Sequence, residues 1–268
     1  MTVEIRELSG IDELRELAEL FAVVWGRAGD PPIGPDVLKA LAHSGNYTSG
    51  AYRDGGLVGG LAGWMGGAPG DLHLHSHILG VLQDRSAGGI GFELKQHQRR
   101  WCLHRGITVM EWTTDPLVRR NAYFNLTKLG ARAPRYLVNF YGGMTDGINA
   151  GEESDRLLIR WTLDSHEAEA AASGGAEQVD VEALVDQGAA VALSVDARGR
   201  PSTALARSRA TRVLCQVPED IVALRGSDPA LAHEWRMALR AALGDAMEGG
   251  MEIVAATRTG WYVLESRA

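Results

Sequence analysis

The stretch DLHLHSHILGV, residues 71–81, places His73, His75 and His77 at every second position. On an extended strand that spacing projects all three imidazoles from one face. An imidazole whose pKa lies near neutrality can take up a proton from a reacting group. His-x-His spacing can also hold a metal ion, but a metal needs at least one further ligand. The sequence identifies no such ligand, and no metal is assigned. The proton-acceptor role falls first to His77, which lies nearest the turn that follows, and then to His75. Glu111, in the alternating segment ITVMEWTTDP, is a second kind of acceptor: a carboxylate inside a strand is costly to bury without a partner. Asp115, just ahead of Pro116, is either another acceptor or a turn residue.

Directly after the histidine strand comes LQDRSAGGIGFELKQHQRRW, residues 82–101, with Gly88, Gly89 and Gly91 at the head of a helix expected over about 89–105. Glycine weakens a helix, so its use there needs a reason. The first turn of a helix exposes unpaired N–H groups and the positive end of the dipole. Glycines let several of those donors converge, which makes a seat for a phosphate. The spacing is neither that of a nucleotide P-loop nor GxGxxG.

The elements that must position these groups can be read from periodicity. A strand is expected at 2–7, a helix at 11–25 with Leu14, Leu17, Phe21 and Trp25 on one face, and a short helix at 35–44. A hairpin follows, turning at Asp54-Gly55-Gly56. Its glycine run marks either a loosely specified sheet or one that something approaches closely. Then come the histidine strand, the glycine-headed helix, the strand 107–116, a short helix ending at Gly130, and two strands in PRYLVNFYGGM and DRLLIRWTL. Residues 165–178, rich in Ala, Glu and Gly, read as a linker. The remainder offers a short helix, strands AVALSV and RVLCQVP, a helix capped by Asp228-Pro229, and closing strands EIVAAT and WYVLES.

This order, together with Ser86-Ala87-Gly88-Gly89-Ile90-Gly91 between strand and helix, resembles the GNAT superfamily of acyl-CoA N-acyltransferases and its (R/Q)xxGxG/A signature. TTDPLVRRNAYFNLTKLGA is similar to the family's later strand-helix segment. The wider pattern, running on through YLVNFYG, DGINAG and DR, resembles a long bacterial group with an extra C-terminal part, some of whose members N-acylate or N-succinylate amino acids. The resemblance implies an α/β fold: a GNAT-like mixed sheet flanked by helices in 1–164, and a smaller α/β domain in 179–268. It implies a coenzyme A thioester, acetyl-CoA or succinyl-CoA, as co-substrate and the amine of a small molecule as acceptor. The backbone of Ser86, Ala87, Gly88, Gly89, Ile90 and Gly91 would hold the pyrophosphate, and Asn121 the pantetheine arm. Two positions depart from the pattern. Ser86 stands where Arg or Gln is usual, with Arg85 one residue before it. Leu126 stands where the general-acid Tyr is usual, which leaves Tyr123, Tyr141 or water to protonate the thiolate, or no acid at all. A non-catalytic acyl-CoA-binding protein and an acyl-CoA hydrolase or decarboxylase are the rival readings.

Trp64, Trp112, Asn139 and Tyr141 are candidates for lining an acceptor pocket, and Arg99, Arg100 and Arg105 form a basic stripe on the glycine-headed helix. A net charge of −7 and the lack of a basic patch disfavour nucleic acid as a partner. No apolar run reaches the roughly 18 residues of a membrane span. Charge from residue 4 onward is unlike a signal peptide. Cys102 and Cys215 form no CxxC and read as reduced thiols, so a cytoplasmic location is expected. The C-terminal part is expected to complete the acceptor pocket or to form a homodimer contact.

Overall fold

The structure is a computed structural model that describes residues 3–82, 89–142, 153–175, 179–204 and 210–266. Internal contacts divide the chain into two units: Met1–Trp112 with Thr162–Asp164, and Thr113–Trp161 with Ser165–Ala268. Among the described residues no helix is long and apolar enough to cross a membrane.

The first unit runs β1 (Glu4–Glu7), α1 (Ile11–Val24), α2 (Pro35–His43), β2 (Tyr47–Arg53), β3 (Gly56–Gly66), β4 (His73–Val81), α3 (Ile90–Leu103) and the start of β5 (Val109–Thr114). The strands lie in the order β1-β2-β3-β4-β5, antiparallel except for the parallel pair β4–β5. The β2–β3 hairpin turns where expected, with Asp54 (φ 53°) and Gly55 (φ 78°) both left-handed. A core of Leu14, Leu17, Phe21, Leu38, Ala62 and Ile78 joins α1 and α2 to one sheet face, while α3 covers the other. The glycine run is explained by close approach. A Cβ on Gly60 would stand 2.1 Å from Leu17 Cδ1, and one on Gly80 3.1 Å from Phe21 Cδ1, both on α1. A Cβ on Gly59 would stand 3.2 Å from Ile90 Cγ2 on α3.

The β3–β4 register slips by one residue. Ala62 faces Ile78 and Gly63 faces Ser76, which leaves His77 as the extra residue of a β-bulge. Side chains before the bulge alternate normally: Ser76 meets α3, and His75 lies against Trp64 on the opposite face. Beyond it the phase is inverted, so that Ile78 joins the α1 core while Leu79 and Val81 lie beside Gly91 of α3.

The second unit begins inside β5 and continues with α4 (Arg119–Ala122), a π-helical turn (Tyr123–Lys128), β6 (Arg132–Leu137), β7 (Arg156–Thr162), α5 (His166–Ala172), α6 (Val181–Asp186), β8 (Ala190–Val195), β9 (Pro201–Thr203), β10 (Arg212–Gln216), α7 (Ile221–Ser227), α8 (Pro229–Glu248), β11 (Met251–Ala256) and β12 (Trp261–Ser266). Its strand order is β7-β6-β11-β12-β10-β8-β9. Asp228 caps α8 as expected, accepting from Leu231 N at 3.0 Å. Three features differ from the sequence reading. The helix before Gly130 is α-helical for one turn only and then π-helical. Part of the expected linker is α5, capped by Ser165 and burying Ala168 and Ala171; a Cβ on Gly130 would stand 2.7 Å from its Glu167 carbonyl. The expected boundary at 164 is also not where contacts thin out, because residues 113–161 are tied to the C-terminal residues. Ile253 pairs with Ala133, Thr127 Oγ1 donates to Ala256 O at 2.6 Å, and Tyr262 OH donates to Pro116 O at 2.6 Å.

Two buried carboxylates anchor this unit. Asp115 Oδ2 lies 2.6 Å from Arg225, 3.5 Å from Arg236 and 3.8 Å from Arg156. Burial alone would raise its pKa, but the arginines outweigh burial and hold it below the usual carboxylate value. A carboxylate so held is a poor proton acceptor, so Asp115 is structural. Asp155 accepts from Tyr136 OH at 2.7 Å, from Asn139 N at 3.0 Å, and from Arg240 through Nε at 2.9 Å and a terminal nitrogen at 2.7 Å. Because the Asp115 pKa is depressed on folding, its contribution is present above the unfolded carboxylate value and is lost as pH falls through the folded one. Asp115→Asn is expected to lower unfolding free energy by about 3 kcal/mol at neutral pH, since it leaves buried guanidinium charge uncompensated. It should also flatten the loss of stability below about pH 4. Urea denaturation at several pH values reads both effects.

Candidate active site

Register places Trp64 on β3, His75 on β4 and Glu111 on β5 in one row across the first unit's sheet. All three side chains lie on the face away from α3, together with His73 and His77. The Trp64 ring centroid is 5.1 Å from that of His75 and 4.4 Å from that of His77, and the two imidazoles are 5.7 Å apart. His73 Nε2 is 3.5 Å from Glu111 Oε2. The acceptors expected from sequence, His77, His75 and Glu111, are thus brought together on one surface. Burial, followed by the neighbouring His77, His73 and Lys95, depresses the His75 pKa to about 4. Burial also lowers that of His77, although it is the most open of the three side chains. Both rings are therefore held toward the neutral form, which has a lone pair free to take a proton, and the larger depression makes His75 the weaker base. Among the described residues no group of three or more His, Cys, Asp or Glu is arranged to hold a metal ion.

The backbone here is also open. The parallel ladder of β4 and β5 is in register at Leu74↔Met110 and His75↔Glu111, at the start of the strands. On its other edge β4 carries the bulge at His77. A bulge leaves its extra residue out of the ladder, so its backbone groups can meet a substrate. A Cβ on Gly63, opposite the bulge, would stand 2.6 Å from the His75 carbonyl, so only glycine fits there.

The glycine-headed helix begins at Gly89, whose left-handed φ of 79° would strain any other residue. Gly89 O accepts from Phe92 N at 2.8 Å and Glu93 N at 3.0 Å, and no side chain caps the helix. Among the described residues a Cβ on Gly89 would meet nothing within 4 Å, whereas Ile90 is buried and a Cβ on Gly91 would stand 3.7 Å from Leu79 Cδ2. Ser86, Ala87 and Gly88 lie outside the described residues.

Other expected residues have these surroundings. Trp112 faces α3, opposite to Trp64, with the Lys95 ammonium 3.6 Å from its ring centroid. Arg99 donates to Leu163 O at 2.6 Å, and Arg105 lies 4.0 Å over the Trp101 ring. Both arginines serve packing within their unit. In the second unit, Asn121 belongs to the single turn of α4. Leu126 is buried in the π-helical turn, and the Tyr123 ring lies 5.0 Å from the Arg258 guanidinium. Asn139 builds a turn at φ 46° and accepts from Ser154 N at 3.1 Å, and the Tyr141 hydroxyl is 3.0 Å from Thr113 Oγ1.

No protein-family model and no curated protein matches the chain. Solved structures do. One is yncA, a putative acetyltransferase from Salmonella typhimurium with its cofactor acetyl-CoA; it is 14% identical, with 62% of this chain and 96% of that one aligned at a TM-score of 0.50. Another is an N-acetyltransferase from Staphylococcus aureus Mu50; it is 12% identical, with 61% of this chain and 100% of that one aligned at the same TM-score. At such identities the likeness establishes the fold alone, and over the aligned part the chain shares the GNAT-like α/β fold of these proteins.

Because the His75 pKa is depressed below its unfolded value near 6.5, the ring's contribution to stability is full above that value. It is lost as pH falls toward about 4. His75→Gln is expected to flatten the stability profile between those limits, read as melting temperature against pH.

Proposed function

We propose that the chain is an acyl-CoA-dependent N-acyltransferase, acetyl-CoA or succinyl-CoA being the donor and the amine of a small molecule, such as an amino acid, the acceptor. The observation that carries this reading is the open backbone of β4 at the His77 bulge, where its ladder with β5 has ended, in a fold shared with solved acetyltransferases. The uncapped start of α3 supports it by offering Gly89, Ile90 and Gly91 to a pyrophosphate. Ser86, Ala87 and Gly88 are proposed for the same cradle, and Asn121 for the pantetheine arm, on the resemblance in sequence alone.

In the reaction the acceptor nitrogen attacks the thioester carbonyl carbon while a backbone N–H of β4 hydrogen-bonds the developing oxyanion. His77, His75 or Glu111, directly or through water, removes the ammonium proton. The carbon–sulfur bond then breaks and the thiolate leaves, to be protonated from solvent. Leu126 has no proton to give, which favours a non-catalytic acyl-CoA-binding protein as the second reading. The reduced thiols and acidic charge fit a cytoplasmic enzyme.

Gly91→Asp separates these alternatives from a bare turn. Its Cβ would make only ordinary contacts, the nearest at 3.7 Å from Leu79 Cδ2, and an acidic residue in a first turn favours the helix. Calorimetric titration should show wild type binding acetyl-CoA or succinyl-CoA and the variant binding at least about tenfold more weakly with unchanged melting. Thiol release that depends on added amine marks the transferase, and binding without release marks the rival. If wild type binds neither thioester, the proposal fails.

A further inference from the structure

Lys95 is at odds with its surroundings. It lies in the middle of α3 and is 4% exposed. Its ammonium donates to Ser76 Oγ at 2.8 Å, sits over the Trp112 ring, and lies 4.0 Å from Met110 Sδ. Ser76 in turn donates to Gln98 Oε1 at 2.8 Å. Among the described residues no carboxylate pairs with this lysine. Burial without one drives its pKa down to about 7, so a charged Lys95 is a cost to the fold. A methionine of similar length would fill the site without that cost. Residues that break the rules of a stable core concentrate where function needs them.

Ser76 is the clue to that need. It separates His75 from the bulge residue His77 on β4, and those two imidazoles lie on the other face of the same strand. We propose that Lys95 is a positioning residue that, through Ser76, holds the bulge of β4 in place and keeps positive charge beneath the His75 imidazole. The inference rests on the transferase reading for its purpose, since a neutral His75 is the form that accepts a proton. The groups around His75 are His73 and His77 on β4, Glu111 opposite it on β5, Trp64 on β3 and Lys95 from α3, and of these His77, His73 and Lys95 disfavour its charged form. Those that act on Lys95 are Cys102 on its own helix, Ser76 on β4, and Met110 and Trp112 on β5. Lys95 opposes protonation of His75, so removing its charge should make that ring easier to protonate.

The test is an NMR titration of the His75 ring, assigned by its absence in His75→Gln, in wild type, Lys95→Met and Ser76→Ala. The His75 midpoint is expected to rise by at least about 0.3 pH unit in Lys95→Met. The same variant should melt a few degrees higher, on the order of 2–4 °C, near pH 6. Its acyl-transfer rate should fall, with the acid limb of its pH profile displaced upward. Ser76→Ala keeps the charge but cuts the link, and should lower the transfer rate with little change in the His75 midpoint. A midpoint unchanged in Lys95→Met, or a variant less stable than wild type, overturns the inference and leaves Lys95 a packing residue. The titration and melting need no substrate. Failure of the transferase reading, seen as no thioester binding by wild type, is therefore distinguishable from failure of this one.

Discussion

One extra residue in one strand organises the first unit. Without the bulge at His77, β4 would continue in a single phase and Ile78 would turn away from the α1 core that it helps to close. With it, the strand keeps its imidazoles on one surface and still delivers Ile78 to α1 and Leu79 and Val81 to the head of α3. The same slip takes backbone out of the ladder beside the histidines. Gly63 opposite it is a consequence, because the strand approaches too closely there for any side chain. Helix packing, imidazole display and open backbone are therefore one feature. A change that repaired the ladder would disturb all three.

The two units use charge in opposite ways. In the second, carboxylates are buried with guanidinium partners: Asp115 among Arg225, Arg236 and Arg156, and Asp155 beneath Arg240 and the Tyr136 hydroxyl. Each joins segments distant in sequence, which suits a structural post. In the first, a lysine is buried on a hydroxyl and an indole with no carboxylate beside it among the described residues, and two histidines are pressed toward their neutral forms. Such groups gain little from the fold and retain a tendency to titrate, as reacting groups do.

Much of this could be read from the chain. Alternation in DLHLHSHILGV put the imidazoles on one face, Asp54-Gly55 fixed the hairpin, and Asp228-Pro229 marked the start of α8. The bulge could not be read, because Ile78 and Gly80 are buried in either phase when helices cover both faces of the sheet. Lys95 was hidden for a related reason: KQHQ in the middle of a helix looks like a solvated face, and only the packing shows Lys95, Gln96 and Gln98 turned inward. Small residues misled at α5, where Ala168 and Ala171 bury too little to announce a helix, and it is the helix backbone at Glu167 and Ala168 that comes close to Gly130. The tie between 113–161 and the C-terminal residues rests on contacts more than a hundred positions apart, which no local pattern encodes.

The two cysteines add something separate from catalysis. Cys102 lies in the first unit and Cys215 in the second, both fully buried, with burial pushing each thiol up to about 12. In the native state almost no thiolate is available to an alkylating reagent. Each sulfur reacts only when its own part of the chain opens, so the molecule carries one native reporter of local opening in each half. Peptide-resolved alkylation rates would rank the two halves by how often they open, with no label introduced and no residue changed.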